Sequence, residues 1–138
     1  MKTILVLCTG NSCRSQMAEG WLKHFAGNNV KVYSAGIQAH GLNPLAVEVM
    51  KESGIDISTN TSDVLDKYID MQFDCIITVC DNVKEKCPFI PGNAIRIHKN
   101  FTDPAKATGN PSAIKNVFRN VRDEIKEFCC NFVKEIRL

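Results

Sequence analysis

Short runs of consecutive apolar residues alternate along this chain with longer stretches in which apolar residues recur every three or four positions. The short runs, rich in β-branched residues and typical of buried parallel strands, cover residues 3–8, 30–35, 74–79 and 94–98. The longer stretches predict helices over residues 15–26, from Asn43-Pro44 to Gly54, and over 112–136. A shorter helix is predicted over residues 62–68, with Ser62 as its N-cap.

This alternation predicts an α/β fold, namely an open parallel four-stranded sheet with helices on both faces. No repeat, low-complexity stretch or linker divides the chain, so residues 1–138 are expected to form a single domain. In such sheets, ligands bind beyond the carboxyl ends of the strands. Cys8 is the last residue of the first predicted strand and is therefore expected at that edge.

Composition narrows the class of protein. The net charge of +2 gives no reason to expect nucleic acid or an anionic membrane as a partner. No secretory leader and no apolar stretch of membrane-spanning length is recognisable, so we expect a cytoplasmic protein. The low net charge and the lack of an obvious apolar surface stripe favour a monomer. An odd count of seven cysteines argues against a disulfide scaffold and directs attention to each cysteine's surroundings.

Residues 8–15 read Cys-Thr-Gly-Asn-Ser-Cys-Arg-Ser, a Cys-x5-Arg pattern between a strand and a helix. Five intervening residues let the chain curl so that successive N–H groups converge on one anion, and Gly10 and Asn11 tolerate the positive φ values of such a curl. The helix N-terminus and the Arg14 guanidinium add positive charge, which favours the thiolate of Cys8; Ser15 can donate a hydrogen bond to it. The predicted oxyanion-binding residues of this anion loop are Thr9, Gly10, Asn11, Ser12, Cys13, Arg14 and Ser15.

Two further cysteines, Cys80 and Cys87, follow the third predicted strand in a polar segment that ends near Pro88. The third strand ends at the same sheet edge as the first, so Cys80 is expected near Cys8. A cysteine pair in a surface segment beside a reactive thiolate suits disulfide exchange. Two alternatives stay open from the residues alone: incidental loop cysteines, and a zinc site, for which a second pair with ligand spacing is missing.

The longer segment Cys8-Thr-Gly-Asn-Ser-Cys-Arg-Ser-Gln-Met-Ala-Glu-Gly20 resembles the signature of the low-molecular-weight protein tyrosine phosphatase fold, and in particular the thioredoxin-coupled arsenate reductases built on it. Phosphatases of that fold typically have proline where this chain has Gln16. The resemblance covers nearly the whole chain. It implies arsenate as substrate, thioredoxin as reductant, and a relay in which Cys8 is the nucleophile and Cys80 and Cys87 are resolving cysteines.

Asp103 precedes Pro104 on the loop after the fourth predicted strand, and it aligns with the general acid of the family's Asp-Pro motif. Tyrosine phosphatases of this fold carry an aromatic pair shortly after that motif. Here residues 105–108 are Ala-Lys-Ala-Thr, which favours a small naked anion over an aryl phosphate.

No cofactor is required by this chemistry, but some arsenate reductases of the family bind potassium near the loop. The matching oxygen ligands are Asn11, Glu19, Ser34, Thr61 and Asp63. As an alternative, Lys31 places an ammonium group where the ion would sit.

The sequence thus predicts reduction of arsenate to arsenite through the three cysteines. Two rivals remain. A low-molecular-weight phosphatase would use water rather than Cys80 to resolve the Cys8 adduct, and a non-enzymatic redox sensor or anion-binding module would signal through Cys80 and Cys87.

Overall fold

Strands and helices alternate in the computed structural model, which describes residues 2–81 and 90–136. The strands are β1 (Lys2–Cys8), β2 (Val30–Gly36), β3 (Cys75–Thr78) and β4 (Ile95–His98). The α-helices are α1 (Arg14–Ala26), α2 (Pro44–Glu52) and α3 (Pro111–Glu135), and the 3-10 helices are Gly27–Asn29, Leu65–Tyr68 and Pro104–Lys106. Within these ranges no helix has the length and apolar character needed to cross a bilayer.

The four strands form one sheet in the order β2-β1-β3-β4, and every neighbouring pair is parallel. Cys8 lies opposite Gly36 on one side, and Leu7 lies opposite Thr78 on the other. The direction of sheet growth reverses between β1 and β3, so their carboxyl ends lie side by side at a topological switch point, where open sheets bind ligands. The predicted parallel four-stranded sheet is confirmed.

Strand β1 is buried on both faces. Ile4, Val6 and Cys8 point into the core shared with α1, α2 and α3, whereas Leu5 and Leu7 point to the opposite face. In the described ranges, that second face is covered by the 3-10 helix Leu65–Tyr68 and adjoining loops. Each fully buried branched side chain contributes roughly 2 kcal/mol relative to an exposed one, so the central strand anchors the sheet.

Most predicted boundaries lie within one residue of those observed, but the segment after residue 60 differs. The helix predicted over residues 62–68 is a 3-10 helix beginning at Leu65 with Val64 as its N-cap, so the prediction that Ser62 caps a helix is wrong. The Ser62 hydroxyl instead donates to the carbonyl of Asn11 (2.8 Å) and accepts from the amide of Gly41 (3.1 Å). A serine with tertiary partners is no longer available to cap a helix.

Helices α2 and α3 are joined by ion pairs centred on Glu52. Its carboxylate accepts hydrogen bonds from Arg119 (2.8 and 3.0 Å) and Arg122 (3.1 Å). These bonds, helped by the charges of Arg119 and Lys115, lower the pKa of Glu52 to about 2. Arg122 also donates to the carbonyl of Val49 (2.9 Å), which ties α3 to the backbone of α2.

Candidate active site

The carbonyl groups of residues 9–12 in the anion loop all accept hydrogen bonds from the chain that encircles the loop. The pairs, donor first, are Gln38 to Thr9 (3.1 Å), His40 to Gly10 (3.0 Å), Ser62 to Asn11 (2.8 Å) and Asn43 to Ser12 (3.2 Å). In a planar trans peptide, the N–H points away from the C=O. The N–H groups of residues 10–13 therefore point away from these donors and into the loop, in the arrangement of an anion nest.

The curl of the loop depends on the conformation of Asn11, which has a φ of 46°. Its fully buried side chain donates to the hydroxyls of Ser15 (2.9 Å) and Ser34 (3.0 Å), and its Oδ1 accepts from the amide of Asp63 (2.7 Å). These bonds hold a left-handed conformation that a residue with a Cβ seldom adopts. Because Ser15 Oγ accepts from Asn11, its own proton is left for another acceptor.

Gly36, at the end of β2, allows the loop to approach the sheet edge. A Cβ at this position would lie 2.7 Å from the carbonyl oxygen of Thr9 and 2.8 Å from the amide nitrogen of Asn11. Both distances are shorter than atoms in contact tolerate, so a side chain at residue 36 would displace the loop.

Helix α1 begins immediately after the loop and presents its positive end there. Its N-cap is Cys13, with no side-chain capping bond and no acidic residue in the first turn among the described residues. The first-turn amides and the helix dipole are thus oriented to attract an anion. Arg14, only 2% exposed, is fixed by a hydrogen bond from Nη1 to the carbonyl of Phe101 (3.2 Å).

Asp103 lies beside that guanidinium. Its Oδ1 accepts from the amide of Ala105 (3.0 Å), capping the 3-10 helix Pro104–Lys106, and its Oδ2 is 3.7 Å from Arg14 Nη2. The side chain is 22% exposed and borders a groove of about 330 Å³. The carboxyl group can therefore exchange protons with solvent while it faces the anion loop, as a general acid requires.

The thiols of the site differ in their surroundings. Cys8 is free and buried at the end of β1. Burial raises the pKa of the Cys13 thiol to about 12; negative charge on Asp103 and Cys8 adds to this, while a hydrogen bond with Ser12 and the charge of Arg14 act against it. Cys13 therefore remains protonated at neutral pH and does not compete with Cys8 as a nucleophile.

Cys80 follows β3 by two residues and is buried. It is disulfide-bonded, whereas Cys8 is a free thiol. The amide of Val79 donates to the carbonyl of Leu7 (2.9 Å), so the chain between β3 and Cys80 still runs beside β1 towards Cys8. The predicted second resolving cysteine, Cys87, lies outside the described residues.

Cys75 and Cys129 belong to the hydrophobic core. Burial raises the pKa of Cys75, in β3, to about 11, and it also raises the pKa of Cys129 in α3. Cys129 is fully buried, whereas its neighbour Cys130 is only partly buried.

The five residues predicted as potassium ligands are brought together in one hydrogen-bond network. Besides the bonds of Asn11, the Ser34 hydroxyl donates to Glu19 Oε1 (2.6 Å) and the Thr61 hydroxyl donates to Asp63 Oδ2 (2.8 Å). Hydroxyl, amide and carboxylate oxygens are the donors that hard cations prefer, so the set fits a potassium ion chemically.

The alternative in which Lys31 supplies an ammonium group in place of potassium stays a prediction. Lys31 is exposed on β2 and has the opposite side-chain direction from Ser34, because successive residues of a strand alternate between its two faces. Two other ammonium groups reach the network: that of Lys23, one turn along α1, donates to Glu19 Oε2 (2.6 Å), and that of Lys67 donates to Asp63 Oδ1 (3.3 Å).

Two contributors to the site were not among the site residues predicted from the sequence. Gln16 is fully buried and contacts both the loop and the segment at residues 60–61, and the backbone carbonyl of Phe101 orients Arg14. Helix α1 is buried on nearly every side between Arg14 and Leu22, so helical periodicity does not distinguish Gln16 from its neighbours.

A loop of converging amides that joins a strand-end thiol to a buried arginine, with a carboxyl group facing it, defines a phosphatase-type active site. The family model of the low molecular weight phosphotyrosine protein phosphatases matches residues 3–138, and the chain belongs to this family.

Within that family the chain is similar to proteins named arsenate reductase. It is 55% identical over 124 residues to one from Halalkalibacterium halodurans (90% of this chain, 89% of that protein) and 54% identical over 131 residues to one from Bacillus subtilis (92% and 94%). Among solved structures, an arsenate reductase in the reduced state superimposes with a TM-score of 0.80 at 32% identity, covering 99% of both chains.

Proposed function

We propose that this chain is an arsenate reductase that converts arsenate to arsenite in the cytoplasm and is regenerated by thioredoxin. The observation that carries the proposal is the combination of the anion loop at Cys8 with a disulfide-forming Cys80 at the neighbouring strand end. The similarity to proteins named arsenate reductase, at 50–56% identity over most of the chain, supports arsenate as the substrate.

In the first step, the loop amides and Arg14 bind the oxygens of arsenate, and the Cys8 thiolate attacks arsenic. Asp103 gives its proton to one oxygen, which leaves as water once it carries two protons. The product of this step is a thiol ester between Cys8 and arsenic, with arsenic still in its pentavalent state.

In the second step, the thiolate of Cys80 attacks the sulfur of Cys8. The Cys8–arsenic bond breaks, its electron pair remains with arsenic, and arsenite departs as a trivalent species while a Cys8–Cys80 disulfide forms. Cys87 then attacks Cys80, which releases Cys8 as a thiolate and leaves a Cys80–Cys87 disulfide. The dithiol of thioredoxin reduces this disulfide by the same exchange chemistry.

A free Cys8 beside a disulfide-bonded Cys80 supports this sequence, because the relay frees Cys8 before thioredoxin acts. Similarity to solved arsenate reductases in both reduced and oxidised states supports a redox cycle on this fold.

The test is consumption of NADPH in the presence of thioredoxin and thioredoxin reductase, with and without arsenate. Arsenate-dependent consumption is expected. It should be abolished in Cys8→Ser, whereas Cys87→Ser should give a single turnover and stop. Arsenate reduction by Cys8→Ser would contradict the assignment of the nucleophile, and multiple turnover by Cys87→Ser would contradict the relay.

A phosphatase activity is the second candidate, because phosphotyrosine phosphatases of the same family share the loop and the general acid. We expect it to be a weak side activity, since no aromatic side chain follows Asp103 at residues 105–108 to hold an aryl ester. Efficient turnover of p-nitrophenyl phosphate without arsenate-dependent NADPH consumption would make phosphatase activity the main function and would contradict arsenate reduction.

Potassium is proposed as an accessory ion, held by Asn11, Glu19, Ser34, Thr61 and Asp63. It would stabilise the carboxylates behind the loop. Because Lys23 already neutralises Glu19, we expect little difference in thermal stability between potassium chloride and choline chloride. Lys23→Met should increase that difference, as measured by thermal unfolding in the two salts. The matched control is Lys134→Met, which changes an exposed lysine of α3 that forms no ion pair among the described residues. A variant that melts identically in both salts would exclude the ion.

A further inference from the structure

Gln16 is a fully buried polar side chain in the first turn of α1 whose polar atoms both have partners. Its Nε2 lies 3.1 Å from the carbonyl of Asn11, 3.2 Å from Asn11 Oδ1 and 2.9 Å from the carbonyl of Thr61. Its Oε1 accepts from Asn60 Nδ2 (3.1 Å). Gln16 therefore links the anion loop to residues 60–61, which are far from it in sequence.

The carbonyl of Asn11 is the point at which two of these contacts converge. It accepts from Gln16 Nε2 and from the Ser62 hydroxyl (2.8 Å), so the orientation of the peptide between Asn11 and Ser12 is fixed from two directions. The N–H of that peptide belongs to Ser12 and points the opposite way, into the loop. A carbonyl that accepts two hydrogen bonds also polarises its own amide group, which strengthens the N–H as a donor.

We propose that Gln16 is a positioning residue for oxyanion binding, which holds the Asn11–Ser12 peptide so that the Ser12 amide is aimed at the bound anion. The inference deepens the proposed function and rests on it, because it concerns how the same loop binds its substrate. Gln16 also holds Asn11 Oδ1, so it supports the left-handed backbone conformation at the centre of the loop.

The experiment compares Gln16→Met with Asn60→Ala. Methionine has a similar length and flexibility but cannot donate a hydrogen bond, so this substitution removes both hydrogen bonds from residue 16 to Asn11. Asn60→Ala removes the bond to Gln16 Oε1 and leaves both bonds to Asn11 in place. Ser62→Ala, at a partly exposed position, removes the other donor to the Asn11 carbonyl and serves as a second variant in case Gln16→Met does not fold.

The first readout is the dissociation constant for inorganic phosphate, measured by protection of Cys8 from iodoacetamide. We expect Gln16→Met and Ser62→Ala to bind phosphate about 10-fold more weakly, and Asn60→Ala to stay within about 2-fold of the parent chain. The KM for arsenate should rise in parallel. Reduction of the oxidised protein by thioredoxin should be unchanged, because that step does not use the loop.

Two results would overturn the inference about Gln16, and a third would overturn the proposed function. Phosphate binding that is unchanged in folded Gln16→Met, or in Ser62→Ala if Gln16→Met does not fold, would overturn the inference alone. Equal weakening in Asn60→Ala would also overturn it, because a general loosening of the segment would then explain the effect. A parent chain that neither binds phosphate nor reduces arsenate would overturn the proposed function, and the inference with it.

Discussion

At the scale of single residues, the site depends on a few groups that are each held by more than one partner. Asp103 combines two tasks, since one carboxylate oxygen caps a 3-10 helix and the other faces Arg14. These tasks can be separated chemically. An asparagine keeps an oxygen for the cap but supplies no acidic proton.

We therefore expect Asp103→Asn to fold normally and to lose catalysis. The first-order rate of arsenite formation in a single turnover should fall about 10²–10³-fold, the range expected when a general acid is removed. The thermal unfolding midpoint should stay within about 2 °C of the parent chain. A single-turnover rate close to the parent value would assign the proton to another donor.

At the scale of secondary-structure elements, each helix end has a distinct task. The N-terminus of α2 is capped by Asn43, whose Oδ1 accepts from the amide of Leu45 (2.9 Å), and that of α3 is capped by Asn110, whose Oδ1 accepts from Ala113 (2.8 Å). No side chain caps α1 in the described part of the chain. The helix that adjoins the anion loop is thus the one whose first amides are left for a ligand.

The ion pairs between α2 and α3 make the stability of the folded state depend on pH. The folded-state pKa of Glu52 is about 2, below its ordinary value of 4.5, so the folded state favours the ionised form. The resulting contribution to stability is fully present above about pH 4.5 and is lost as the pH falls towards 2. Because Glu52 is exposed to solvent, this contribution to stability should also become smaller when salt is added.

The prediction is that Glu52→Gln lowers the free energy of unfolding at pH 6 and has progressively less effect as the pH approaches 2. Urea unfolding across this range measures it. The control is Glu127→Gln, which changes an exposed glutamate of the partner helix α3 that forms no ion pair among the described residues. A difference that is independent of pH would mean that Glu52 acts through packing and not through its charge.

At the scale of the whole molecule, the sheet brings together groups that are distant in sequence. The loop after β1, the guanidinium on α1 and the acid after β4 meet only in the folded chain. An oxyanion bound by all of them should therefore stabilise the folded state in proportion to its occupancy.

We expect inorganic phosphate at about 100 times its dissociation constant to add about 2.7 kcal/mol of stability, equivalent to an increase of roughly 10 °C in the midpoint of thermal unfolding. Arg14→Met should abolish this increase, whereas Cys8→Ser should retain it, because serine leaves the amides and the guanidinium in place. An unchanged increase in Arg14→Met would place the anion elsewhere.

Local pattern was sufficient to predict much of this molecule. The apolar runs fixed the strands, because a strand buried on both faces must be apolar throughout, and glycines marked where helices end. The Cys-x5-Arg segment indicated an anion loop, since its residue types and spacing leave few other geometries. The bounds of α1 and α3 were predicted to within one residue for the same reason.

Only the tertiary structure decided which distant groups meet. Side-chain direction and contacts between elements determined the partners of Gln16, the pairing of Lys23 with Glu19, and the contact of Ser62 with the loop. Such contacts have no period along the chain, because they arise where separate elements pack together. The sequence by itself determined a thiol in an oxyanion loop on a parallel sheet, and the packing determined what holds that loop in shape.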